Sequence, residues 1–263
     1  MKRSVAVIVL LLLTGCGLLP KVQDETAGWS AQKLYSTAQD KMNDGAYEDA
    51  IKYFEKLEAR YPYGRYAQQA QLEVAYAYYK DDEPVSAISA CNRFIRLHPN
   101  HPHVDYVYYL KGVVNFNANL GLLSRLGLGS KNLVDRDPKA ARESFEAFKK
   151  LVTRFPDSKY TPDALARMHY LVNTLAAHEI AVASYYMHRG AYLAAVNRAQ
   201  GAVKNYPHAP AIEQALIIMA EGYKAMGMTR LTHDTLRVLK LNFPHSTYLT
   251  HAETHAKPWW KLW

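Results

Sequence analysis

Residue types that ordinarily carry chemistry are sparse in this 263-residue chain, and their spacing defeats most of the reactions they could perform. His178 and Glu179 are adjacent, as in a helical zinc-protease motif, but Val182 stands where the second histidine is needed. His98, His101 and His103 are close enough to suggest a metal. Pro99 and Pro102 fix the backbone among them, however, and no Asp, Glu or Cys completes a ligand set, so they read as a turn and no metal is expected. No glycine-rich phosphate loop follows a strand pattern, and no Gly-x-Ser-x-Gly elbow occurs. Asp81-Asp82 looks like a solvated turn. An envelope hydrolase built on a helical array therefore has no acid or nucleophile to support it, and the chain is read as non-enzymatic. Of the two cysteines, Cys91 falls on an apolar face between Ala87 and Phe94 and reads as a small core residue. Cys16 is the one side chain whose surroundings point to a reaction, the acylation of its own thiol.

Residues 1–16, MKRSVAVIVLLLLTGC, give that reaction its context. Lys2 and Arg3 form a positive start, and the apolar run that follows is too short to span a bilayer, so the segment reads as a signal peptide over 1–15. Leu13-Thr14-Gly15-Cys16 resembles a bacterial lipobox, in which small residues suit the peptidase and the cysteine accepts diacylglycerol. The mature chain would begin at Cys16 with diacylglycerol and an N-acyl chain as its only non-protein groups, and several acyl chains anchor stably where one does not. Gly17, rather than Asp, after the cysteine points to the outer membrane by the same resemblance. One mature cysteine leaves no disulfide framework.

The elements that follow are set by a repeated phrase. Residues 49–62, DAIKYFEKLEARYP, read as an amphipathic helix stopped by a proline, and the pattern returns before Pro99, Pro156, Pro207 and Pro244. Twelve positions before each proline stands a small residue: Ala50, Ala87, Ser144, Ala195 and Thr232. Twelve further back come Ala38, Ala75, Ala183 and Ala220, with Gly112 taking the place in the third repeat if about twenty residues are inserted after it. Close packing of antiparallel helices needs such low ridges. The expected fold is all-α, a tetratricopeptide-like superhelical solenoid of about five helix-turn-helix repeats. Residues 16–28 are a tether and 29–250 the repeat domain. N-terminal repeats run to about 120, a leucine-rich insertion fills 121–137, and C-terminal repeats occupy 138–250. The spacing from Pro156 to Pro207 predicts one helix about four turns longer than the rest. The insertion either binds on one face of the array or folds its leucines back onto neighbouring helices.

Two compositional features bear on partners. Net charge is +8, about +6 without Lys2 and Arg3, a mild basic bias that export would place away from nucleic acid. Twenty tyrosines offer large apolar bodies with polar tips, suited to repeat cores and to half-buried groove walls. The tail, residues 251–263, ends in Pro258-Trp259-Trp260-Lys261-Leu262-Trp263. That composition suits a lipid interface, suits a partner equally well, and is also compatible with an end that has no function.

Five stretches resemble the BamD family, also called ComL, lipoprotein subunits of the outer-membrane β-barrel assembly machinery. They are RYPYGRYAQQAQLEVAYAYYK (60–80), NRFIRLHPNHPHVDYVYYLKG (92–112), DRDPKAARESFEAFKKLVTRFP (135–156), FPDSKYTPDA (155–164) and RGAYLAAVNRAQ (189–200). The resemblance covers Cys16 to about Pro244, in the same order, and stops short of the tail from His251. It implies a non-enzymatic scaffold on the periplasmic face of the outer membrane, held there by its lipid anchor. Its implied partners are a BamA-type barrel subunit, a BamC-type lipoprotein and unfolded outer-membrane proteins. By carry-over, Arg198 lies in the part that meets the BamA-type subunit. Arg60, Tyr63, Arg65, Tyr66 and Tyr79 would line a groove for clients or the other lipoprotein, offering stacking area and charge to a terminal carboxylate. The residues also allow another envelope scaffold, linked to peptidoglycan or to division, and peptidoglycan contact is possible in either case.

Overall fold

The computed structural model describes residues 24–125 and 138–251, and every regular element within them is α-helical. The signal segment, Cys16, most of the tether, residues 126–137 of the insertion and the tail beyond His251 lie outside the described residues. Eleven described helices follow one another: α1 (Ala31–Asn43), α2 (Tyr47–Arg60), α3 (Arg65–Lys80), α4 (Pro84–Leu97), α5 (Val104–Arg125), α6 (Lys139–Arg154), α7 (Thr161–His188), α8 (Tyr192–Asn205), α9 (Ile212–Ala225), α10 (Thr229–Asn242) and the short α11 (Thr247–His251). They pair in order as five helical hairpins, α1/α2 to α9/α10, and α7 with 28 residues is the long helix that the proline spacing predicts. Contacts divide the chain into two compact units, one ending at Ala70 and the other beginning at Gln71. No described helix is long and apolar enough to cross a membrane.

The second helix of each hairpin ends the same way. Tyr61, His98, Phe155, Tyr206 and Phe243 each precede a proline and sit at φ near −130° with ψ between 50° and 70°. A proline ring clashes with a helical residue before it, which forces that residue out of the α region. Each still donates its backbone N–H to the carbonyl four residues back, so one orphan acceptor is satisfied at every end. The turn inside a hairpin is equally uniform. Gly45, Gly190 and Gly227 are left-handed at φ 76°, 72° and 72°, and Asp82 takes the same conformation at 61° without glycine's freedom.

In the first unit α1 packs on α2, with Leu34 and Ala38 against a stripe of Ala50, Ile51, Phe54 and Leu57, all buried. In the second unit one cluster joins Val113, Phe116, Phe148, Leu151, Leu171 and Leu175 across α5, α6 and α7. A second runs from Ala176 to Leu239 through α7, α8, α9 and α10. The small residues work as the repeat pattern requires. Ala38, Ala50, Ala75, Ala87, Ser144, Ala183 and Ala195 have no exposed surface, and Thr232 in the last repeat is half-buried. At Gly112 an added Cβ would lie 2.4 Å from Cε1 of Phe148. Ser144 donates its hydroxyl to the Gly112 carbonyl at 2.8 Å, tying the two small positions of the third hairpin together. α5 continues to Arg125, five residues into the segment read from its glycines and leucines as an insertion.

Candidate partner-binding surfaces

The residues singled out in the sequence fall in two places. Arg198 lies on α8 and donates from Nη1 to Glu179 Oε2 at 3.0 Å. From α6, Arg142 reaches the other oxygen of the same carboxylate, Nη2 to Oε1, at 3.4 Å. Glu179 is 8 % exposed, whereas the two arginine side chains are 45 % and 54 % exposed. Three helices thus deliver one buried acid and two half-exposed bases to a single point, and one positive charge is left over. The Tyr206 hydroxyl lies beside this group and is pushed up by burial. A planar guanidinium held by one edge still presents N–H donors on the other, so the cluster is built to receive an acidic or carbonyl-rich group from outside.

The other candidates, Tyr79 apart, lie around the first turn after α2. Tyr63 is 91 % exposed and follows Pro62 on a backbone turned by Gly64 at φ 97°. Arg65 is exposed, lies 4.8 Å over the Tyr66 ring and donates to its hydroxyl at 3.0 Å. Tyr66 packs its own ring on Tyr35 at 5.5 Å. Arg60 has a different role from the one its place beside these tyrosines suggests. Its guanidinium donates to the Thr26 carbonyl, to the Asp24 carboxylate and, at 2.8 Å, to the Thr26 hydroxyl. Lys56 adds a contact to Asp24 at 3.2 Å. The Thr26 hydroxyl and backbone N–H, then the two cations, hold the Asp24 carboxyl well below the usual carboxylate range. Arg60 is therefore a staple between the start of the fold and the end of α2. Tyr79 belongs to the second unit, where its hydroxyl accepts from Asn117 Nδ2 at 2.7 Å and its ring packs into the cluster around Phe148.

The three neighbouring histidines do structural work. His98 bonds Gln71 at 2.7 Å, and His101 meets the Phe94 ring edge-on at 5.2 Å. Among the described residues no group of His, Cys, Asp and Glu is arranged to hold a metal. Cys91 is buried, and desolvation pushes its thiol up to about 12. One further feature had no motif to announce it. A groove of 450 Å³ between α4 and α6, floored by α5, carries Lys111, Arg142 and Lys150 with Glu143 and Glu146. Lys111 donates to Asn92 at 2.7 Å, and burial lowers its ammonium pKa.

Comparison with known proteins identifies the family of the chain. The family model YfiO, described as outer membrane lipoprotein, matches residues 28–239. Outer membrane protein assembly factor BamD of Neisseria meningitidis serogroup A is 47 % identical over the full length of both chains. The chain belongs to the BamD family. The Vibrio cholerae BamD is 37 % identical over 89 % of this chain and 95 % of its own. Among solved structures, the MamA protein covers 87 % of this chain at 13 % identity with a TM-score of 0.39. The family match spans Arg198, Glu179 and Arg142 as well as the tyrosines after α2, and it ends within α10.

Proposed function

We propose that this chain is a non-enzymatic assembly factor for outer-membrane proteins, anchored through acylated Cys16 to the periplasmic face of the outer membrane. The observation that carries this reading is the identity of 47 % running the whole length of both chains to a protein named for that role. The lipobox at Cys16 and the outer membrane lipoprotein model support the location. In this reading the surface around Arg198 meets a BamA-type barrel subunit. Its surplus positive charge, presented by two oriented guanidiniums, favours an acidic patch on that partner. Unfolded clients, or a BamC-type lipoprotein, engage the tyrosines after α2. There Tyr63 and Arg65 are the side chains open to a visitor, while Arg60 and Tyr79 are bonded within the fold.

Co-purification tests the first contact. Arg198→Gln removes the charge yet leaves Glu179 its bond to Arg142, so the helical fold should persist with a loss of roughly 1 kcal/mol or less for a half-exposed ion pair. The expected result is reduced recovery of the barrel subunit from detergent-extracted membranes with unchanged far-UV circular dichroism. Undiminished recovery would refute the assignment. Arg198→Glu is a harsher probe, because it sets a second carboxylate against buried Glu179.

A further inference from the structure

The outer flank of α10 breaks the rule that the rest of the array keeps. Leu231, Val238 and Leu241 lie along it, 43 %, 41 % and 75 % exposed. Counted back from the proline, these are positions thirteen, six and three. The same positions hold Asp49 and Lys56 in α2, Arg93 and Arg96 in α4, and Glu143 and Lys150 in α6, with no large apolar residue at any of them in the first four hairpins. Positions that carry charge in α2, α4 and α6 have become apolar in the last hairpin. Beside it runs a polar row, where Asp234 pairs with Arg237 at 3.3 Å and with Arg230 at 4.0 Å. Both arginines are largely exposed and lie next to the leucines, an arrangement that suits aromatic rings.

The chain itself carries such rings within reach. α11 is fixed to the end of the last hairpin, with Tyr248 and Leu249 packed in the same cluster as Leu236 and Phe243 and the Tyr248 hydroxyl donating to Glu221. It ends at His251, and only residues 252–258 separate it from Trp259. Those residues span up to roughly 24 Å when extended. The flank from Leu231 to Leu241 is roughly 15 Å long on a helical rise. Trp259, Trp260 and Trp263 are spaced to share one side of a helical turn, and Lys257 and Lys261 keep the segment wet elsewhere.

We propose that the tail segment 257–263 docks, within one molecule, on the flank of α10 formed by Leu231, Val238 and Leu241. The indole faces cover the apolar residues and stack against the Arg230 and Arg237 guanidiniums. The tail thereby covers an apolar flank at positions that carry charge in α2, α4 and α6.

Tryptophan emission tests this in the mature chain carrying Cys16→Ala and Trp29→Phe, so that the three tail indoles alone report. The expected emission is blue-shifted from that of the urea-unfolded chain and independent of protein concentration. Val238→Glu with Leu241→Glu should move it to the unfolded value, raise acrylamide quenching and leave far-UV circular dichroism unchanged. Emission already at the unfolded value, or insensitive to the two substitutions, overturns the proposal. A shift that appears only with anionic phospholipid vesicles gives the tail to the membrane, and one that grows with concentration gives it to a second copy; both contradict the proposal. A chain stopped after His251, with α10 intact, should also gain anilinonaphthalene-sulfonate fluorescence that the full chain lacks. Equal dye binding by the two would count against docking.

Discussion

One carboxylate serving two guanidiniums is the most informative arrangement in the molecule. Glu179 is 37 residues from Arg142 and 19 from Arg198, so nothing in its local text announces the cluster. Read beside His178 it suggests only a zinc motif that fails. Arg198 stands out in the sequence through family resemblance, and its two companions emerge only once α6, α7 and α8 are packed. Arg60 shows the opposite case. Its neighbours in sequence are groove tyrosines, but its bonds run back 36 residues to Asp24. Cys91 is legible from either side, since an apolar face in the sequence becomes a fully buried position in the fold. Burial pushes its thiol up to about 12 from an ordinary value near 9, so the unfolded chain loses that proton first. Stability is therefore expected to be unaffected by Cys91 below pH 9 and to fall between 9 and 12, by at most about 1.4 kcal/mol per pH unit. Melting midpoints of wild type and Cys91→Ala across that range check the prediction. The variant should show the shallower alkaline slope, and parallel slopes would contradict it.

Among the elements, the sequence reading is strongest where a residue type forces a backbone state. Five prolines placed the helix ends because each bars its predecessor from the α region, and Tyr61, His98, Phe155, Tyr206 and Phe243 share one conformation as a result. Glycine marked three of the four described hairpin turns, and at the fourth, read from Asp81-Asp82, Asp82 adopts a left-handed conformation that its type only tolerates. Gly121 lies within α5, which runs on to Arg125, because neighbouring leucines support a helix that one glycine merely weakens. The crossing points rest on small side chains, and Gly112 is the most demanding of them. Gly112→Ala puts a Cβ into the Phe148 ring at a contact that must open, so a loss of about 1–3 kcal/mol is expected. Urea denaturation measures it, and Gly112→Ala combined with Phe148→Leu should recover part of the loss. An unchanged midpoint for the single variant would contradict the packing of α5 on α6.

At the scale of the whole molecule, a chain of helical hairpins distributes its candidate surfaces among its repeats instead of focusing them in one pocket. That suits a protein that holds several others. The repeat pattern accounts for the scaffold, and the candidate surfaces are exposed Tyr63 after the first proline, the arginine pair around Glu179, and the apolar flank of α10. In the proposed function, the assembly role rests on these surfaces acting in one anchored chain. Its most direct test is the amount of folded, heat-modifiable porin in outer membranes from cells that depend on this chain as their only copy. Depleting it should lower folded porin and leave unfolded porin in the periplasm, with wild type restoring assembly and Cys16→Ala restoring it poorly. Normal levels of folded porin after depletion would contradict the account.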